Sequence, residues 1–216
     1  MWHIRRNCHR IVLYINACSL ELALSNRCFS VYNKDQNQRT ANKKVVTMKK
    51  NYKYIQTPLG KYLLAENGKG ITFLEHVASE LDPRIEKEIV AGEMVEADTP
   101  LLLEGERQLQ AYFNGERQKF DLPLDAAGTP FQLKVWEALR QIPYGETRSY
   151  KDIAIAVENP KGVRAIGMAN NRNPISIITP CHRVIGTSGK LVGYAGGLHL
   201  KEYLLNHETK VAIEKG

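Results

Sequence analysis

The 216-residue chain has no run of about 18 apolar residues, so no membrane-crossing helix is expected. It has four cysteines, and three of them, Cys8, Cys18 and Cys28, fall in the first 47 residues. Cys181 stands alone in the well-patterned remainder, which argues against a disulfide scaffold. The early cysteines and His9 lack the CxxC pairing of common zinc modules, so no metal site is expected there. Nor is this a disordered or fibrous composition. With 43% hydrophobic and 25% charged residues it is an ordinary globular one, long enough for one large domain or two small ones.

Acidic residues are scarce at both ends. Residues 1–47 hold eight Lys/Arg against two acids, a net +6; residues 48–128 hold ten against fourteen, a net −4; residues 129–216 hold twelve against seven, a net +5. The overall +7 therefore conceals three segments of different character. A basic balance makes nucleic acid or another anionic surface a partner to consider. In the first segment Arg5, Arg6 and Arg10 precede Ile11–Ile15, a run shorter than the core of a secretory signal. Its Arg-rich, acid-poor character also fits an organellar transit peptide. We read residues 1–47 as an unstructured leader, or as sequence upstream of an internal start at Met48, because strand patterning begins just after Met48.

The middle segment, 48–128, predicts three meandering strands: NYKYIQ, KYLLAE and ITFLEHV. The first pair is separated by Thr57-Pro58-Leu59-Gly60 and the second by Asn67-Gly68-Lys69-Gly70, whose Asn-Gly tolerates the positive φ of a tight turn. Thr99 and Pro100 open a helix that carries Leu102, Leu109, Tyr112 and Phe113 and stops at Asn114-Gly115. No nucleophile–base pair, metal cluster or phosphate loop is visible here. His76 stands alone and reads as a surface or core histidine.

The last segment, 129–216, carries the chemistry. FQLKVWEALRQI is an amphipathic helix with Phe131, Val135, Trp136, Leu139 and Ile142 on one face, ended by Pro143-Tyr144-Gly145. Ser149 with Asp152 forms a capping-box pair for a second helix, SYKDIAIAVE. Asn159-Pro160 leads to a third, GVRAIGMANNR. Two short helices in a basic segment suit a helix-turn-helix, although many such helical pairs are only packed core. Asn173-Pro174 breaks the third helix, and ISII is expected as a short buried strand that ends at Pro180-Cys181-His182-Arg183. Neighbouring positive charge would favour a reactive thiolate at Cys181, whereas a buried inert thiol is the other open reading. In an extended segment His182 would point away from Cys181 and act through a bridging water. GTSGK is a turn, and LVGYAGG lets backbone approach a flat ligand. Tyr194 there is either a stacking or a packing aromatic. A final helix, LHLKEYLLNHE, is expected to end at His207-Glu208. Glu208 could orient a histidine, though on spacing alone it reads as an exposed helix-end residue.

The segment NPISIITPCHRVIG, followed by LVGYAGGLHLKEYLLNHE, closely resembles the O6-alkylguanine-DNA alkyltransferases, also called methylated-DNA–protein-cysteine methyltransferases. FQLKVWEALRQIPYGETRSYKDIA and the spacing from Arg164 to Cys181 resemble them too. The resemblance covers about 129–210 strongly, extends over 48–128 and does not reach 1–47. It implies an α/β, ribonuclease-H-like domain at 48–128 and a mostly α, helix-turn-helix (winged-helix-like) domain at 129–216. It further implies stoichiometric, single-turnover transfer of an alkyl group from O6-alkylguanine to Cys181, with O4-alkylthymine left open.

By the same resemblance His182 and Glu208 help form the thiolate through a water. Asn173 joins the recognition helix to the active-site strand, and Arg164 fills the place of the extruded base from the minor groove. Tyr150 lies near the target phosphate, assists nucleotide rotation and is a candidate proton donor to the base. Arg172 and Asn170 are candidate DNA contacts. Tyr194, Gly193, Ala195 and Pro180 are candidates for the guanine pocket. Arg172 and Ala195 depart from the family pattern, the latter where some relatives have serine, which bears on alkyl-group tolerance. Double-stranded DNA is the expected partner, and a monomer without membrane, metal or cofactor is expected. The location is cytoplasmic on the nucleoid, or nuclear in a eukaryote, with organellar targeting open through the leader. Two other classes compete: a helix-turn-helix regulator or alkyl-lesion sensor without turnover, and a thiol hydrolase using Cys181 and His182.

Overall fold

Strand β1 (Lys50–Thr57) turns at Pro58-Leu59 into β2 (Gly60–Glu66), which pairs antiparallel with β1 and with β3 (Ile71–His76). This is the expected meander. The computed structural model describes residues 49–77 and 83–215, so the readings made for residues 1–47 lie outside the described residues. Two elements of this region were not legible in the sequence: helix α1 (Pro83–Val90) and strand β4 (Met94–Glu96). β4 joins β1 in parallel, giving a mixed sheet of order β3-β2-β1-β4.

Both faces of this sheet are covered, and β2 records that directly. Tyr62 and Leu64 face a core shared with Leu102, Leu109 and Tyr112 of helix α2 (Pro100–Phe113). Leu63 and Ala65, pointing the other way, pack with Tyr52, Phe73, Ile85 and Met94. Continuous burial along Tyr62–Glu66 is what a two-sided strand requires. α2 starts where expected: Thr99 caps the Leu102 amide, and Pro100 occupies the first turn. The edge strand β3 is closed by loops. Ile71 exchanges backbone bonds with Pro123 and Asp125, and Leu74 with Pro174 and Ser176.

Helix α3 (Pro130–Arg140) begins at a capping box between Thr129 and Gln132. Helices α4 (Tyr150–Ala156) and α5 (Val163–Asn171) follow, α4 opening at the Ser149–Asp152 capping box. α3, α4 and α5 bury Val135, Trp136, Leu139, Ile153 and Ile166 together, and Trp136 Nε1 donates to Ala169 O at 2.9 Å. Two-residue strands β5 (Arg148–Ser149) and β6 (Val184–Ile185) pair in parallel beside them. Helix α6 (Leu198–Lys215) closes the chain and runs beyond the expected end at Glu208. Thr47–Gly216 forms one compact unit, an α/β sheet region followed by a helical region. Among the described residues no helix is long and apolar enough to cross a membrane.

Candidate active site

The ISII segment is not a strand. It makes a single bridge from Ile175 to Leu74 and then turns, with Ile177 at φ 67°. A β-branched residue in the left-handed region costs about 1–3 kcal/mol and persists only where its surroundings hold it. They do: Ile177 and Ile178 are buried in the sheet core, and Ser176 is bonded to Leu74 O through both its amide and its hydroxyl. Asn173 fastens the same turn, donating to Thr179 O at 2.8 Å and accepting from the Ile175 amide at 3.1 Å. Three isoleucines in four residues looked like a strand because burial was read as pairing. The turn then delivers Cys181 into a one-turn 3-10 helix, Cys181–Arg183, rather than to the end of a strand.

Cys181 and His182 are buried, and His182 Nε2 lies 2.8 Å from Glu208 Oε1. Glu208 is not an exposed helix-end residue; it is wholly buried on α6. Its carboxylate accepts from Arg183 at 2.8 and 3.0 Å, from the Tyr112 hydroxyl at 2.7 Å and from the Gly145 amide at 3.2 Å. Burial opposes its ionisation, but the His182 and Arg183 bonds together hold it well below the usual carboxylate range. Burial also lowers His182 against the pull of Glu208, which favours the neutral imidazole, and Arg183 acts together with His182 in keeping Glu208 charged. An ionised Glu208 requires the imidazole proton on Nε2. That leaves the Nδ1 lone pair, which is buried and has no hydrogen-bond partner among the described residues.

Burial pushes the Cys181 thiol up; the Asn173 side chain, the Lys201 charge and the Cys181 amide act against this. Lys201 is fully buried, donating to Val184 O and, at 2.8 Å, to Val192 O, and burial lowers it to about 8. The Tyr150 hydroxyl donates to the same Val192 O at 3.1 Å and reaches Gly193 O at 3.4 Å. Two side chains from different helices thus hold the glycine-rich 191–197 segment. Gly193 itself sits at φ 58°, and a Cβ there would come within 3.2 Å of the Tyr150 hydroxyl.

Cys181 lines a small cavity whose walls include Gly193, Tyr194 and Ala195. Tyr62, Glu75 and His76 of the sheet region line it too, so His76 is not isolated; its ring meets Tyr62 edge-on at 5.3 Å. Pro180 lies elsewhere. It faces a separate cleft with Tyr144 and Arg183, and does not line the cavity of Cys181. Asn170 is also displaced from its expected surface position: it is buried and donates to Cys181 O at 3.4 Å. Arg164 and Arg172 are exposed, at the start of α5 and just past its end. Sequence reasoning missed Arg183, Lys201 and Tyr112. Arg183 had a signal, as a cation beside the thiol within PCHR; Tyr112 had none beyond helical spacing. Among the described residues no group of three or more His, Cys, Asp or Glu could hold a metal.

Residues 50–126 match the family described as 6-O-methylguanine DNA methyltransferase, ribonuclease-like domain, and residues 130–210 match its DNA binding domain. The chain is 52% identical over 165 residues to the constitutive methylated-DNA–protein-cysteine methyltransferase of Bacillus subtilis, covering 76% of this chain and 98% of the relative. It is 50% identical over 157 residues to the Methanosarcina barkeri protein of that name, covering 73% and 96%. Among solved structures, the Mycobacterium tuberculosis O6-methylguanine methyltransferase aligns with TM-score 0.67 at 44% identity, over 74% of this chain and 93% of that one. A structure from the same organism in complex with DNA aligns with TM-score 0.66 at 43% identity, over 74% and 94%.

Proposed function

Because the chain belongs to the methylated-DNA–protein-cysteine methyltransferase family, which repairs DNA by moving an alkyl group to a protein cysteine, we propose that Cys181 is the acceptor and duplex DNA carrying O6-alkylguanine the substrate. The observation that carries this is the thiol at the cavity wall beside a neutral His182 whose Nε2 is committed to Glu208. His182 Nδ1 is then the base for the thiol proton, reached through a bridging water in the family pattern. Glu208, held by Arg183, stabilises the imidazolium that forms. The thiolate sulfur attacks the alkyl carbon while the carbon–O6 bond breaks. The electron pair stays on guanine, which takes up a proton, with Tyr150 the candidate donor. The sulfur keeps the alkyl group as a thioether, so each molecule acts once.

The lesion must leave the base stack, at a cost of about a few kcal/mol. Arg164, exposed on α5, is suited to fill the gap, and Arg172 to hold phosphate. Gly193, Tyr194 and Ala195 would wall the flipped base. Asn173 sets the loop that presents the thiol. In this reading the protein works as a monomer, without metal or cofactor, in the cytoplasm or nucleus, and residues 1–47 are dispensable.

Labelled O6-methylguanine duplex tests the reading. Label should appear on the peptide containing Cys181, one per molecule; label elsewhere, or many turnovers, overturns it. Arg164→Ala should slow repair of duplex while sparing reaction with the free base. Deletion of residues 1–47 should leave the transfer rate unchanged.

A further inference from the structure

The exposed face of α5 carries a side chain that the proposed repair reaction does not use. Ile166, Ala169 and Asn170 turn inward, while Arg164, Met168 and Asn171 share the outer face at helical spacing. Met168 is 59% exposed, the most exposed large apolar side chain of α4 and α5. Single exposed apolar residues are ordinary on protein surfaces. Position decides here, because Met168 stands one helical turn from Arg164 on the same stripe. The stretch of sequence that contains it is cationic as well. Between Glu158 and Glu202 the sequence has no aspartate or glutamate, while Lys161, Arg164, Arg172 and Lys190 are all exposed. An apolar tip one helical turn from an exposed guanidinium is complementary to nucleic acid, whose phosphates meet the cation while its base edges and stacked faces accept an apolar group.

We propose that Met168 is a DNA wedge: its thioether enters the groove beside Arg164 and packs against the base step next to the extruded nucleotide. The inference rests on the function proposed above and adds a residue to it. An unbranched, polarisable side chain adapts to an irregular, partly unstacked step, and apolar wedges are a recurrent way of opening a step from the minor groove. The division of labour follows from chemistry. Arg164 replaces the lost base with a planar cation, and Met168 covers the exposed face of the neighbouring pair.

Methionine oxidation gives a direct footprint. Full-length protein with Cys181→Ser, which binds without reacting, is treated with hydrogen peroxide alone and with O6-methylguanine duplex, and sulfoxide is read by peptide mass. Met168 should oxidise several-fold more slowly in the complex; Met94, only 3% exposed, is the internal control and should stay slow in both. Equal oxidation of Met168 with and without duplex overturns the proposal. With Cys181 intact, Met168→Ala should slow single-turnover repair of duplex about tenfold. It should leave reaction with the free base unchanged, and Met168→Leu should restore duplex repair. Leu133→Ala, which removes a comparable exposed side chain from α3, should change neither rate. A loss for Met168→Ala that is equal on duplex and free base, or absent on both, also overturns it. Methyl transfer to Cys181 in wild-type protein, measured on the same duplex, reports on the proposed function separately.

Discussion

In residues 50–126 the buried polar side chains are Thr57, Glu66 and Gln108, and their partners are near in the chain. Thr57 donates to Gly60 O, Glu66 accepts from the Gly68 amide and from Asn51 across the hairpin, and Gln108 bonds both backbone groups of Asp121. In residues 130–215 they are Asn170, Thr179, His182, Arg183, Lys201 and Glu208, and apart from Thr179 their side-chain bonds join separate elements. Glu208 on α6 gathers the 3-10 turn, the loop before β5 and, through Tyr112, the helix of the other region. The first region is held by apolar burial with local polar stitching. The second is held by a charged hub, which also orients the imidazole beside the thiol. Stability and chemistry are therefore separable in the sheet region and fused in the helical one.

The sharpest way to break that contrast is Glu208→Gln. It leaves Arg183 buried without its counter-ion, which should cost about 3–5 kcal/mol in denaturant unfolding. It should also lower single-turnover transfer, because His182 loses the carboxylate that fixes its tautomer. Equal transfer per folded molecule in mutant and wild type would separate the hub from the chemistry. The pH dependence carries the same signature. Glu208 is depressed in the folded state, so its contribution is complete above the unfolded value of 4.5 and is lost as pH falls below it toward the folded value. The acid limb of a stability curve should therefore flatten in Glu208→Gln.

The contrast also decides what could be read from residues alone. The hairpins, the caps at Thr99 and Ser149 and the helices behind them were legible, since each depends on a few consecutive side chains. β4 was not: three residues have too little pattern, and the strand exists because β1 offers an edge. Glu208 was misjudged on spacing because its neighbours come from 25 and 96 residues away. The ISII turn was misread for the same reason, its backbone being set by Leu74 and Asn173 rather than by its own apolar run. Lys201 carried no local sign of burial.

Tyr112→Phe sharpens the comparison by removing the one hydroxyl that links the sheet region to the hub. A hydrogen bond to a charged acceptor is worth about 1.5–3 kcal/mol, and the loss should appear as that much stability. Arg183 and Gly145 still hold Glu208, so transfer should fall far less than in Glu208→Gln. Lys201→Met separates the two properties the other way. The Val184 and Val192 carbonyls lose their donor while the cost of burying the ammonium is relieved, so the two effects oppose and the net change near neutral pH should stay within about 1–3 kcal/mol. The thiol loses its nearby cation, so alkylation of Cys181 by iodoacetamide should shift to higher pH. Lys201 is depressed to about 8 from 10.5, so wild-type stability should rise with pH between those values, and the variant should lose that rise.

The smallest effect belongs to an ion pair that looks like the hub's on paper. Lys50 on β1 reaches both oxygens of Glu88 on α1, at 2.7 and 2.8 Å, across 38 residues of sequence. The distance is that of Arg183 with Glu208, and both pairs are far apart in sequence; solvent separates them, for these side chains are 37% and 28% exposed against 7% and 0%. Water already solvates each charge, so Glu88→Gln should cost less than about 1 kcal/mol, and the difference should vanish as salt rises to about 1 M. The cost of Glu208→Gln should survive the same salt, because counter-ions cannot reach a carboxylate with no exposed surface. If salt erased both differences alike, the buried hub would be no more than another surface pair, and the contrast between the two regions would fail with it.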